Sequence, residues 1–159
     1  MKFTAVGAFP EILGRKARES ARATVLAVSN SLEAAFWVAR RLRAIGYGVE
    51  GPHSVEASVS AIEDAMKRAL SSSDVVVATG GVEPGFAPTF SAAASALGRQ
   101  LVESDEARRM VEEYYYLLTG APQGIPDEAK VLYMLPEYST VLRNVRGPAP
   151  GILLEEGDK

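Results

Sequence analysis

The chain has no cysteine, one histidine, one tryptophan and no apolar run of the ~18 residues that a membrane-spanning helix needs. Without cysteine there is no disulfide, no thiolate metal site and no cysteine nucleophile, which suits a cytoplasmic protein. With His53 as the single histidine, a multi-histidine metal site is excluded and any Ser-His-Asp triad would have to be built around it. His53 lies in a Gly-Pro-His turn and reads as a surface loop residue. The opening stretch "MKFTAVGAFPEILGRK" has no small-x-small cleavage site and does not read as a signal peptide. A large excess of positive charge is also missing. The net charge is -3, which gives no footprint for a nucleic acid or an acidic membrane. Neither a Gly-Lys-Ser/Thr phosphate loop nor a G-x-G-x-x-G fingerprint occurs.

What is present fits one soluble globular domain: 159 residues, 47% apolar and 23% charged. "ATVLAVS", Ala23–Ser29, reads as a buried parallel strand. Asn30 or Ser31 then caps a helix over Leu32–Ile45, with Leu32, Ala35, Phe36, Ala39, Leu42 and Ile45 at helical spacing. "YGVEGPHSV" is a second extended segment. A helix over about Glu56–Leu70 turns Val59, Ile62, Met66 and Ala69 inward, and Val75–Ala78 forms a third strand. Thr89–Leu97 is a short helix ended by Gly98, and Asp105–Leu118 a longer one capped by Ser104, with Ala107, Met110, Val111, Tyr114 and Leu117 or Leu118 inward. The tail supplies three strand-like pieces, Lys130–Leu135, Ser139–Arg143 and Gly151–Glu155. Strands alternating with helices predict an α/β fold: a three-layer α/β/α sandwich with a mostly parallel sheet and a small antiparallel edge.

In such a sheet ligands bind beyond the carboxyl ends of the strands. Two segments stand there, "VSNSLE" and "TGGVEPGFAPT". Gly80 and Gly81 permit positive φ and let main-chain N–H groups approach an anion, or they serve a tight turn alone. Thr79 offers a hydroxyl beside them. Ser29, Asn30 and Ser31 either donate to a ligand or cap the helix that follows. Glu83 is the one ionisable side chain in the second loop. "ARRLR" puts Arg40, Arg41 and Arg43 on a solvated helix face, and "EEYYYLL" divides between core and surface or an oligomer contact.

Three stretches together resemble the molybdopterin-binding-like domain family of molybdenum-cofactor biosynthesis, in particular the amino-terminal domain of competence/damage-inducible proteins. They are "ARRLRAIGYGV"; "SDVVVATGG" with Thr89 nine residues before the Gly98 of "ALGR"; and the tail with Leu135, Pro136, Leu142, Asn144, Gly147, Ala149, Pro150 and Gly151. Family tails read L-P-x-G-A-x-x-L-x-N-P-x-G-x-A-P-G. The resemblance covers Ala23 to Gly157. It implies a domain over residues 23–157, preceded by an extension over residues 1–22 with an added edge strand Phe3–Val6 and a helix Pro10–Arg22. An echo of the family's first loop, "VGAFPEILGR" at Val6–Arg15, lies upstream of the strand that should precede it and is read as coincidental.

The resemblance also implies a phosphate-containing small-molecule ligand, a pterin or an adenine nucleotide, held by Thr79, Gly80, Gly81, Ser29, Asn30, Ser31 and Thr89, in a homo-oligomer. Active family members adenylylate molybdopterin or cleave a nucleotide pyrophosphate with a divalent metal, and their second loop reads T-G-G-x-G-x-T-x-D-D-x-T. Here Phe86 and Ala87 stand where the acidic pair should be, the loop is one residue shorter, and the first-loop G-D-E-L-L-x-G is missing. The expectation is therefore binding without the family's usual catalysis. The alternatives are Mg²⁺-dependent nucleotidyl transfer or pyrophosphate hydrolysis with Glu83 as the catalytic carboxylate, and a non-catalytic scaffold or oligomerisation protein.

Overall fold

The computed structural model describes residues 2–6, as main chain, and residues 21–120 and 124–157. A six-stranded sheet runs in the order β3-β2-β4-β1-β8-β7. Its strands are β1 (Lys2–Val6), β2 (Arg22–Val28), β3 (Gly48–Val55), β4 (Val75–Thr79), β7 (Thr140–Leu142) and β8 (Gly151–Glu156). A separate antiparallel pair joins β5 (Leu101–Glu103) to β6 (Met134–Pro136). The helices are α1 (Leu32–Ala44), α2 (Val59–Ser72), α3 (Pro88–Ala96) and α4 (Asp105–Thr119), with a 3-10 helix over Asp127–Tyr133. Strands β3, β2, β4 and β1 are parallel, while β8 and β7 are antiparallel to their neighbours, as the tail pattern predicted.

The β-branched and alanine-rich run of β2 suits a strand covered on both faces. Ala23, Val25 and Ala27 join Val75 and Val77 of β4 under α1, and Leu26 and Val28 face α2 and α3 on the other side. Alternation with a period of two assigns the faces. On the α2–α3 face Ile62, Met66 and Phe90 are fully buried, each contributing roughly 1.5–3 kcal/mol over an exposed side chain. Thr24 and Ser73 are buried polar residues that satisfy one another, hydroxyl to hydroxyl, at 2.7 Å.

Several expectations fail in instructive ways. The strand at residues 2–6 is interior, between β4 and β8, not at an edge. The expected helix Pro10–Arg22 lies outside the described residues, apart from Ala21 and Arg22, of which Arg22 opens β2. Helix α1 buries Ala35, Val38, Ala39 and Leu42, leaving Leu32 and Phe36 exposed. These four pack with Ala23, Val25 and Ala27 of β2 and Val75 and Val77 of β4 in one cluster. In α2 it is Ala65, not Val59, that joins Ile62, Met66 and Ala69 inside. In α4 only Ala107 and Val111 are buried, and Leu117 and Leu118 are exposed. Most of the expected strand Lys130–Leu135 is 3-10 helix, burying Ala129, Leu132 and Tyr133, and only its end enters β6.

Candidate functional site

Helix α1 leaves the carboxyl end of β2 on one face of the sheet, and α3 leaves the carboxyl end of β4 on the other. A crevice opens where neighbouring strands send their helices to opposite faces. The segment Ser29–Ser31 lines one side of it and Thr79–Val82 the other.

The structure brings Ser31, Thr79, Gly80, Gly81 and Thr89 together, and their hydrogen bonds are turned inward. The Ser31 hydroxyl lies 2.8 Å from both the Val28 and Thr79 carbonyl oxygens and 2.9 Å from Thr79 Oγ1. A hydroxyl has one hydrogen. Ser31 therefore donates to one of these acceptors at a time, and between the Ser31 and Thr79 hydroxyls either can be the donor. Thr89, fully buried, donates its hydroxyl to the Gly80 carbonyl at 2.8 Å and its N–H to the Gly81 carbonyl at 3.2 Å. Ser29 and Asn30 are exposed at the rim, with Ser29 at a positive φ of 56°.

These internal bonds determine which way the N–H groups of the turn point. A trans peptide holds its C=O and N–H on opposite sides. With the Gly80 and Gly81 carbonyls both held by Thr89, the N–H groups of Gly81 and Val82 point the other way. Neither has an acceptor among the described residues. Gly80 and Gly81 have φ of 80° and 66°, and side chains there would collide with Val28 and Ser31, or with Thr89 and Val28. Both neighbouring helices also lack a side-chain cap. Ser31 begins α1 with its hydroxyl committed to the loops, and Ala87 begins α3 with no hydroxyl at all. In contrast, Ser58 and Ser104 cap α2 and α4 by accepting from Ala61 N and Ala107 N. Two helix N-termini, with their unsatisfied N–H groups and positive dipole ends, thus adjoin the same turn.

Glu83 is placed elsewhere. Glu83 and Phe86 exchange main-chain hydrogen bonds at 3.0 and 2.9 Å, closing a four-residue turn whose Gly85 N–H is held by the Glu128 carbonyl. Both side chains are exposed. Among the described residues no group of three or more His, Asp or Glu could hold a metal.

Sequence reasoning noted Ala87 only as a lost carboxylate and missed that it begins a helix without a cap. Its signal was Pro88 at the first helical position, preceded by a residue that cannot cap. It used the loop 143–150 for the resemblance but did not place it beside the site. Ile152 is paired with β1 at Val6, and Val6 with Ala78, so the loop before Gly151 stands on the same sheet edge, about 10 Å from β4 at normal strand spacing. Asn144 closes this loop by donating to the Ala149 carbonyl and accepting from Arg146 N–H, both at 2.9 Å. The most specific part of the tail pattern is thus a built turn, and it carries exposed Arg146 at the same end of the sheet as the crevice.

A mostly parallel sheet with two helix N-termini at this crossing point defines an α/β protein with its candidate site at the strand ends. Residues 29–144 match the model of a family described as a probable molybdopterin binding domain, and the chain belongs to that family. A protein of Pyrobaculum aerophilum is 38% identical over 132 residues, covering 79% of this chain and 46% of its own length. A CinA-like protein of Dictyoglomus thermophilum is 32% identical over 125 residues, covering 77% of this chain and 29% of its own. The crystal structure of the protein CinA, of unknown function, from Thermoplasma acidophilum superposes with a TM-score of 0.73 at 25% identity, covering 85% of this chain and 82% of that one. The chain spans about half the length of the Pyrobaculum relatives it matches.

Proposed function

We propose that the chain binds a phosphate-bearing small molecule, a pterin or an adenine nucleotide, in the crevice between the start of α1 and the start of α3, without the family's usual catalysis. The observation that carries this reading is the pair of N–H groups at Gly81 and Val82, turned away from Thr89, which takes the two carbonyls behind them. Main-chain donors at a helix N-terminus suit phosphate. The hydroxyls of Ser31, Thr79 and Thr89 then act as props, with their hydrogens already used inside the protein.

A resident Mg²⁺ does not fit these residues. Glu83 is the second loop's one carboxylate, and it sits on a turn closed on itself.

Thermal unfolding against ATP, AMP, FAD, ADP-ribose and pterins, each with and without Mg²⁺, tests the proposal. A ligand at 100 times its Kd should stabilise by about 2.7 kcal/mol, or roughly 5–11 °C in a domain of this size. The shift should require the phosphate, being absent with adenosine, should not require Mg²⁺, and should shrink in Thr89→Val. No shift with any of these compounds would end this reading. Mg²⁺-dependent release of phosphate or AMP that vanishes in Glu83→Ala would replace it with the catalytic one.

A further inference from the structure

The outward stripe of α1 is apolar where a solvated helix should be polar. Leu32, Phe36 and Trp37 are 41%, 53% and 48% exposed, and with Glu33 and Arg40 they line one shallow hollow. Their spacing, with Arg41 added, makes two i, i+4 rows, Leu32–Phe36–Arg40 and Glu33–Trp37–Arg41, so the six share one side of the helix. Charge along the stripe is ordered: acid at the start, two aromatic rings in the middle, base at the end. Arg41 stacks on Trp37 at 5.1 Å. Glu33 and Arg40 have no ion-pair partner among the described residues. They stand seven residues apart, about 10 Å along the axis, too far to pair within one helix.

We propose that this stripe is the contact of a two-fold homodimer in which two α1 helices pack antiparallel, with the axis passing between Phe36 and Trp37. A two-fold contact must be self-complementary, each residue i meeting j while j meets i. Reversing the helix about that axis sets Phe36 against Trp37 of the partner subunit and Glu33 against Arg40 of the partner subunit, each twice. The one antiparallel register that centres the aromatic pair is thus also the one that satisfies both charges. A parallel pairing would set Glu33 against Glu33. Interleaved i±4 rows on both helices provide the ridges and grooves that close helix packing uses. One helix pair buries less than the ~800 Å² per partner of a standard interface, so the dimer is weak and forms as concentration rises.

Sedimentation velocity of the full chain over a concentration series tests this. Phe36→Ser should abolish the dimer. Glu33→Arg and Arg40→Glu should each weaken it about tenfold, and the double variant should recover to within about threefold of the original. Circular dichroism confirms that these surface variants fold. The chain has no cysteine, so introduced thiols report geometry directly. Under mild oxidation a mixture of Glu33→Cys and Arg40→Cys chains should give a disulfide-linked dimer of one chain of each kind, while either variant alone should not cross-link. A monomer at every concentration, a double variant that stays as weak as the single ones, or efficient cross-linking of Glu33→Cys with itself would each overturn the proposal.

Discussion

Ser31, Thr79 and Thr89 were expected to touch a ligand, and in the structure their hydroxyl hydrogens are all used to fix the two loops against each other. That arrangement makes the glycines sensitive positions. A Cβ at Gly81 would run into Thr89 Oγ1 and the Val28 side chain, on top of the left-handed φ. Gly81→Ala should therefore cost about 3 kcal/mol or more in urea unfolding, combining steric overlap with left-handed strain. Gly98 shares the positive φ, at 63°, but has nothing within 4 Å of its Cβ site, so Gly98→Ala should cost only about 1–2 kcal/mol. Equal costs would mean that the close approach of the loops contributes nothing. The identities of Thr79, Gly80, Gly81 and Thr89 as one cluster were legible in the sequence. The direction of their hydrogen bonds was not, because a hydroxyl takes the acceptor that tertiary structure brings within 3 Å, and no spacing rule encodes that.

Among the elements, the helix starts separate into two kinds. Ser58 and Ser104 accept hydrogen bonds from N–H groups in the first turns of α2 and α4. Replacing either by Ala should lower stability by about 1 kcal/mol with no effect on the crevice. Ser31→Ala should act differently. It removes the tie to the Val28 and Thr79 carbonyls, so ligand binding should fall along with stability, and a ligand-induced shift unchanged from the parent would show that the tie is not used. A chain read residue by residue treats Ser31 and Ser104 alike as caps, since the residue type is the same, and runs past Ser58 in a helix begun at Glu56. What distinguishes Ser31 is Thr79, 48 positions away and 2.9 Å distant. Elsewhere, local pattern was enough for Ser104 and α4. It failed for "KVLYML", where apolar density fits a strand and a 3-10 turn equally, and contact of Ala129, Leu132 and Tyr133 with the core selected the turn. Between α2 and α3, the Glu63 carboxyl is held below its ordinary value chiefly by its hydrogen bond to Lys67 and next by one to Ser95.

At the scale of the whole molecule, strand order was the part that the sequence hid. The alternation of strands and helices predicted the layers, and the tail predicted the antiparallel edge, but nothing local says that residues 2–6 lie between β4 and β8. The register places Lys2 opposite Glu156, so β8 and β1 are joined across a single strand spacing. A rearranged chain in which a short loop runs from Gly157 to Lys2, opened instead at the exposed Gly98 turn, should fold to the same sheet with a cooperative unfolding transition. Loss of cooperativity in circular dichroism would show that the interior placement of β1 depends on the original order. The same placement bears on synthesis. Strand β1 leaves the ribosome before its parallel neighbour at Val75–Thr79 exists, and long before β8 at Gly151–Glu156. Its ladder thus closes over separations of about half and nearly all of the chain, the long-range pairing that slows folding and leaves strand edges open to other chains. For the nascent protein, the centre of the sheet is the last part to be completed, and crowding by sibling chains is most hazardous during that interval.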